Sequence, residues 1–166
     1  MTFLPWLCRL VEMVIKHHRL RLDGRFHNLI PTLQAILQRV LARPYTAQEE
    51  HAKLFIGLIR LICEPTDDAI ARSARAGGGL DSAKDSAKRY AGDYMYLVLT
   101  QYIKLQLECA VPHAVRETLD TGMYAVLDVT APGGLAILHD SMDPSGRVVF
   151  KELYRRYQRF GKWSGV

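Results

Sequence analysis

Apolar residues recur at steps of three and four along almost the whole chain, and this spacing commits it to helices. Leu4, Leu7, Cys8, Val11, Val14, Ile15 and His18 mark one face of a first helix. It should end near Leu22, because Asp23-Gly24 is a turn signal. Leu29, Ile30, Leu33, Ile36, Leu37, Val40 and Leu41 mark a second helix that Pro44 stops. Its Pro31 falls in the first turn, where a missing N–H removes no helical bond. Thr46-Ala47-Gln48-Glu49 has the spacing of a capping box. A third helix follows, with Leu54, Phe55, Leu58, Ile59 and Ile62 inward, ending before Pro65.

Residues 66–82 change character. Three glycines among Ala, Ser, Arg and Asp offer little to bury, so the segment reads as a mobile loop. Gly77, Gly78 and Gly79 belong to no phosphate-binding pattern and follow no strand. A long helix from about Asp81 to Glu108 should be central, because apolar residues mark more than one of its sides. Pro112 opens the next helix; Met123 to Val129 also has the pattern of a short buried strand, but with no partner strand evident the helix is preferred there. Pro132, Gly133 and Gly134 break the chain before a short helix around Leu135–Ser141. Asp143-Pro144-Ser145-Gly146 then turns into a last helix, with Val149, Phe150, Leu153, Tyr154, Tyr157 and Phe160 inward. The expectation is an all-α fold of six or seven helices, as an antiparallel bundle or as the end of an α-solenoid of the HEAT/armadillo kind. Its 166 residues fit a single helical domain, 1–166.

Composition narrows the function classes. The chain is 49% hydrophobic and 23% charged, which argues against disorder throughout. No run of eighteen apolar residues occurs, and Arg9 and Glu12 interrupt the apolar start that would otherwise suggest a signal peptide. Cys8, Cys63 and Cys109 are odd in number and far apart, which argues against a disulfide framework or a zinc knuckle. They read as small buried hydrophobes.

The net charge of +5 is concentrated. Between Arg147 and Lys162 lie Arg147, Lys151, Arg155, Arg156, Arg159 and Lys162 against the single acid Glu152. Lys151, Arg155, Arg159 and Lys162 share the outer face of the last helix. A second cluster, Lys16, Arg19, Arg21 and Arg25, is interleaved with His17, His18 and His27. Such clusters suit a polyanion or an acidic protein surface, and equally a plain solvated helix face.

No catalytic constellation stands out. His139, Asp140 and Ser141 are consecutive, so their side chains diverge and suit a helix end better than a triad. His17 and His18 point apart, with no carboxylate one helical turn on. Tyr90, Tyr94, Tyr96 and Tyr102 sit at helical spacing, where aromatics serve the core more often than they stack bases. An enzyme would require Asp93, His113 and His139 to converge. No cofactor and no metal is expected.

The chain's ending is its most specific text. Ser145-Gly146-Arg147-Val148-Val149-Phe150-Lys151-Glu152-Leu153-Tyr154, then Tyr157 and Phe160-Gly161-Lys162-Trp163, resembles the close of the nucleolar pre-ribosomal RNA processing family. Its members are called unhealthy ribosome biogenesis protein 2 or nucleolar preribosomal-associated protein 2. Gly24-Arg25-Phe26-His27 is similar to the same C-terminal domain. So are Tyr102–Leu107, Val115-Arg116-Glu117 and Gly122–Asp128.

The resemblance implies the C-terminal domain of a longer protein. It further implies a non-catalytic helical scaffold in early large-subunit precursor particles, located in the nucleolus. The implied partners are other pre-ribosomal assembly factors, a DEAD-box helicase among them; precursor rRNA is a further candidate, and whether RNA or protein is the direct ligand stays open here. No small-molecule substrate and no membrane is implied. The basic clusters then supply the contact candidates: Arg19, Arg21, Arg25, Lys151, Arg155, Arg159 and Lys162. Trp163 either anchors a partner or folds back over Tyr157 and Phe160 as a plug. Alternatively, the domain is the structural cap of a helical solenoid that binds acidic protein partners and not RNA. The apolar first helix, with Phe3, Leu4, Trp6 and Leu7, would then face the preceding unit.

Overall fold

The computed structural model of the chain describes residues 3–161, and among these every regular element is helical. In chain order they are α1 (Leu4–Leu22), α2 (Phe26–Leu41), α3 (Gln48–Cys63), α4 (Asp67–Arg75), α5 (Leu80–Ala91), α6 (Tyr96–Glu108), α7 (His113–Val129), α8 (Pro132–Ser141) and α9 (Pro144–Arg156). A wider π-type turn, Tyr157–Gly161, continues α9.

The centre is the α3–α7 pair. Gly122 of α7 lets the two helices close up, since a Cβ there would lie 2.2 Å from Ile56 Cδ1 of α3. The second helix, the first helix and α5 pack on α3, while α6 packs on α2, α7, α8 and α9. Leu33, Leu37, Ile59, Ile62, Leu119 and Val126 are sealed in the resulting core. Each contributes about 1.5–3 kcal/mol relative to exposure.

Nine helices among the described residues exceed the expected six or seven for two reasons. The segment expected as a loop holds α4 and the start of α5, leaving only 76–79 between them. Alanines favour helix there, and Arg72 and Arg75 in the last turn complement the helix dipole. The glycines are confined to the break, where Gly77 takes φ +76°. The expected long helix over 81–108 is two helices, because the chain turns at residues 92–95. Gly92 is forced by its surroundings: a Cβ would lie 2.4 Å from the Val129 carbonyl oxygen at the end of α7.

Smaller differences have equally local causes. The capping box does not form: α3 begins at Gln48, whose buried amide donates to the Val40 carbonyl at 2.9 Å and ties α3 to the end of α2. His18 leaves helical geometry (φ −124°, ψ 21°) and is exposed rather than inward. Pro112 sits just before α7, and α8 begins at Pro132 itself, a proline tolerated in the first turn. Leu54 is 42% exposed, because its side of α3 borders open space beside α1. Phe160 is 61% exposed, since the wider last turn carries it outward and seats Gly161 against Tyr157 and Tyr124 instead.

Candidate functional site

The last helix is built to present a basic face. Asp143 accepts a hydrogen bond from the Gly146 backbone N–H at 2.8 Å, and Pro144 occupies the first turn. Phe150, Leu153 and Tyr157 are buried beneath the helix, and the Tyr157 hydroxyl donates to Asp128 Oδ1 of α7 at 2.5 Å. With that side anchored, Lys151, Arg155 and Arg159 point outward and are exposed. Arg155 pairs with Glu152 one turn back at 3.0 Å, and Arg159 lies over the Phe160 ring at 5.3 Å. An exposed pair of this kind is worth little and yields readily to a competing anion. Lys162 and Trp163 lie outside the described residues.

One base of the same segment goes the other way. Arg156 Nη2 lies 2.9 Å from Asp120 Oδ2, and the Tyr102 hydroxyl donates to Asp120 Oδ1 at 2.8 Å. Asp120 is nearly buried, and burial pushes its carboxyl up from the ordinary aspartate range. The Tyr102 hydrogen bond and the Arg156 charge pull it partly back. Burial first, then the Asp120 charge, push the Tyr102 phenol far up, so it remains a donor. The sequence reading missed this network. Its only advance signal was Arg156 standing one place off the outer row.

The first basic cluster divides in the same manner. Arg19 Nη1 donates to the Leu61 carbonyl at 2.5 Å and Nη2 to that of Ile62 at 3.1 Å. These carbonyls end α3 and have no helical partner, so the cation both caps α3 and meets the negative end of its dipole. The guanidinium stacks 4.5 Å over Tyr90, whose hydroxyl donates to the Arg19 carbonyl at 2.9 Å. Burial pulls the Arg19 pKa down from the usual arginine range. The break at His18 comes one residue before this inward turn. Arg21 and Arg25 remain exposed, and Lys16 pairs with Glu12 on its own helix.

The residues weighed for catalysis are not brought together. His113 pairs with Glu117 at the start of α7, and His139 with Asp140 at the end of α8. Asp93 is exposed in the turn between α5 and α6. Ser141 donates to the Leu138 carbonyl at 2.9 Å, as a helix-end residue does. Tyr102 is sealed in the core, and Tyr94 stacks on Phe26 with ring centroids 5.2 Å apart. Cys8 and Cys63 are buried, Cys109 half-buried, and all three are free thiols. No cluster of metal-ligating side chains exists among the described residues.

The family model described as the Urb2/Npa2 family matches residues 1–166. The chain belongs to the Urb2/Npa2 family. No curated protein and no solved structure matches it. Urb2/Npa2 proteins are ribosome-biogenesis factors, not known as enzymes, and associate with pre-ribosomal components. Such a role suits a nuclear or nucleolar location. No described helix is long and apolar enough to cross a membrane.

Proposed function

We propose that this chain is a non-catalytic scaffold and interaction module of nucleolar ribosome biogenesis, serving large-subunit precursor rRNA processing and early pre-ribosome assembly. The observation that carries the reading is the family match over residues 1–166. The exposed row Lys151, Arg155 and Arg159 then supplies the contact with precursor-RNA phosphates, extended by Lys162 and, on the other cluster, by Arg21 and Arg25. Arg19 is committed to the end of α3 and serves the contact only by holding α1 in place. Other assembly factors, including a DEAD-box helicase, are the partners this role calls for.

The test is a titration of a structured precursor fragment and a generic duplex across salt, with charge reversal at Lys151, Arg155, Arg159 and Lys162. Each phosphate contact contributes roughly −0.9 to the log–log salt slope on duplex and about −0.7 on single strands. A steep slope that flattens on reversal supports the reading. A slope indifferent to reversal sinks the RNA contact.

A second reading, a solenoid cap that meets acidic protein partners, is favoured by one observation. Phe3, just before α1, and Trp6 and Leu10 of α1 face away from the core, at 76%, 73% and 61% exposure. Exposed apolar residues gathered on one helix mark a surface that another protein surface covers.

A further inference from the structure

Helix α9 ends in an arrangement that its apolar spacing does not call for. That spacing places Phe160 beside Tyr157 in the inner stripe, but the chain widens at Tyr157–Gly161 and carries Phe160 outward to 61% exposure. Gly161 takes the inner place, where a Cβ would lie 2.5 Å from the Tyr157 ring. Leaving a phenylalanine in water forgoes one of the larger apolar gains open to a fold. Single wider turns of this kind are rare and frequent at functional positions. Arg159 lies over the Phe160 ring at 5.3 Å, and no other ring packs on it among the described residues.

A second apolar station lies nearer the start of α9. Between α8 and α9 is a hollow of about 290 Å³, lined by His139, Arg147, Val148, Phe150, Lys151 and Tyr154. Val148 is 70% exposed there, and the Phe150 and Tyr154 ring centroids lie 5.9 Å apart. The Tyr154 hydroxyl has no hydrogen-bond partner among the described residues.

Cations join the two stations. Lys151, Arg155 and Arg159 follow at four-residue steps, about 6 Å each along a helix axis. Lys151 has no ion partner among the described residues, and Arg159 holds only the Phe160 ring. Three acids are near. Glu152 holds Arg155 in an exposed pair, Asp140 lies beside His139, and Asp143 accepts from the Gly146 N–H. None of the three lines the hollow, whereas Lys151 does, as does Arg147, which also donates to the His139 carbonyl at 3.2 Å.

Apolar stations at either end of a cationic row match a ligand in which flat faces alternate with anions. A single-stranded nucleic acid is such a ligand: its bases stack on aromatic rings while its phosphates follow the cations. A duplex turns its bases inward and would meet the row alone, leaving Phe160 and the hollow bare. An acidic peptide would also pair with the row. Phe160, however, projects from the helix end, where a flat base covers a ring face and an aliphatic side chain stays largely wet.

We infer that the outer face of α9 binds single-stranded RNA. One base stacks on Phe160, another sits in the α8–α9 hollow against Tyr154, and the phosphates between them meet Lys151, Arg155 and Arg159. This names the kind of RNA for the phosphate contact proposed above and rests on that contact.

The test is a titration of the full 166-residue chain with three probes of equal length. These are oligouridylate, its duplex with oligoadenylate, and a ribose–phosphate strand without bases. Oligouridylate should bind on the order of tenfold more tightly than either of the others. Phe160→Leu and Tyr154→Leu should each cost it roughly tenfold, leave the base-free strand's affinity unchanged and keep the salt slope. Phe160→Trp should restore the affinity, and its added fluorescence should be quenched by oligouridylate and not by the base-free strand. Phe160 is exposed, so its variants should melt with the parent. Undiminished binding of oligouridylate by either leucine variant, or equal binding of the base-free strand, overturns the inference. If charge removal at Lys151, Arg155 and Arg159 still flattens the salt slope, the phosphate contact survives that failure. If neither strand nor duplex binds, both readings fail. A polyglutamate peptide that binds as tightly as oligouridylate and is weakened equally by Phe160→Leu would assign the face to an acidic protein and overturn the RNA ligand.

Discussion

The two basic clusters look alike as text and end differently in the fold. Around α1 one cation, Arg19, is drawn inside to cap α3, while Arg21 and Arg25 stay exposed and Lys16 holds only an exposed pair with Glu12. On α9 the segment gives up Arg156 to the buried Asp120 and leaves Lys151, Arg155 and Arg159 outside on a helix anchored from beneath. The difference comes from what each helix covers. Arg19 lies where α3 ends with bare carbonyls, whereas on α9 it is Arg147 that meets a neighbouring helix end, donating to the His139 carbonyl of α8 at 3.2 Å, and Lys151, Arg155 and Arg159 stay outside. A run of positive charge is therefore available for binding only after the fold has taken what its own helix ends and buried acids require.

If that division is right, the inward residues should be expensive to remove. The largest effect belongs to Asp120→Ala. It leaves Arg156 without its carboxylate and Tyr102 without its acceptor, at a cost of about 3–5 kcal/mol. Thermal unfolding followed by circular dichroism should show a fall on the order of 10 °C. A change of only a degree or two would mean that Arg156 belongs with the outer row, and the comparison would collapse on the α9 side.

Arg19→Ala comes next. It removes two charge-assisted hydrogen bonds to the end of α3 and the stacking on Tyr90, together about 1.5–3 kcal/mol. Its neighbour Arg21→Ala, exposed on the same cluster, should stay within about 0.5 kcal/mol. Chemical denaturation of the pair checks this directly. Equal losses at 19 and 21 would mean that the α1 cluster is uniform and that nothing in it is reserved for α3.

Which of these outcomes was legible beforehand depends on the range of the cause. The helical class, the turn at Asp23-Gly24, the end of α2 and the outer row of α9 follow from neighbours within one or two turns, and the sequence shows them. The need for a glycine at the break does not, because the atom a Cβ on Gly92 would meet is the Val129 carbonyl oxygen thirty-seven residues away. Helix α4 was hidden by the nearby glycines, whose influence reaches only 76–79. The inward turn of Arg19 depends on the end of α3, and that of Arg156 on Asp120 of α7. Neither could be told from its exposed neighbours by residue type. The candidate site was thus readable as a list of cations, and its partition only from the contacts.

A smaller effect concerns pH. Burial raises the Asp120 carboxyl above its unfolded value of about 3.9, with Tyr102 and Arg156 opposing. A raised folded pKa means that the native state holds the proton more tightly. The contribution of this linkage is fully present below the unfolded value and is lost as pH rises through the folded one. Asp120→Asn should remove this component, so the difference in unfolding free energy between parent and variant should change across that window and be flat above it. A carboxyl titration of Asp120 by NMR with a midpoint at or below the ordinary aspartate value would contradict the burial account.

The smallest effect on stability is expected where the effect on binding should be greatest. Lys151→Gln, Arg155→Gln and Arg159→Gln remove exposed charges, one of them from a surface pair, and each should shift unfolding by no more than about 0.5 kcal/mol. Glutamine keeps the length and helix propensity of the side chain, so what disappears is the charge alone. If these three cations contact phosphates, the triple variant should bind a precursor fragment with a log–log salt slope shallower by about 2–3. The same substitutions at Arg21 and Arg25 set the scale for the other cluster. A slope lost at α9 and kept on substitution of Arg21 and Arg25 would show that the first cluster is not a second contact. Equal losses would show that Arg21 and Arg25 work beside Arg19 rather than being spent with it, because stability and binding would then have been divided residue by residue within one helix end.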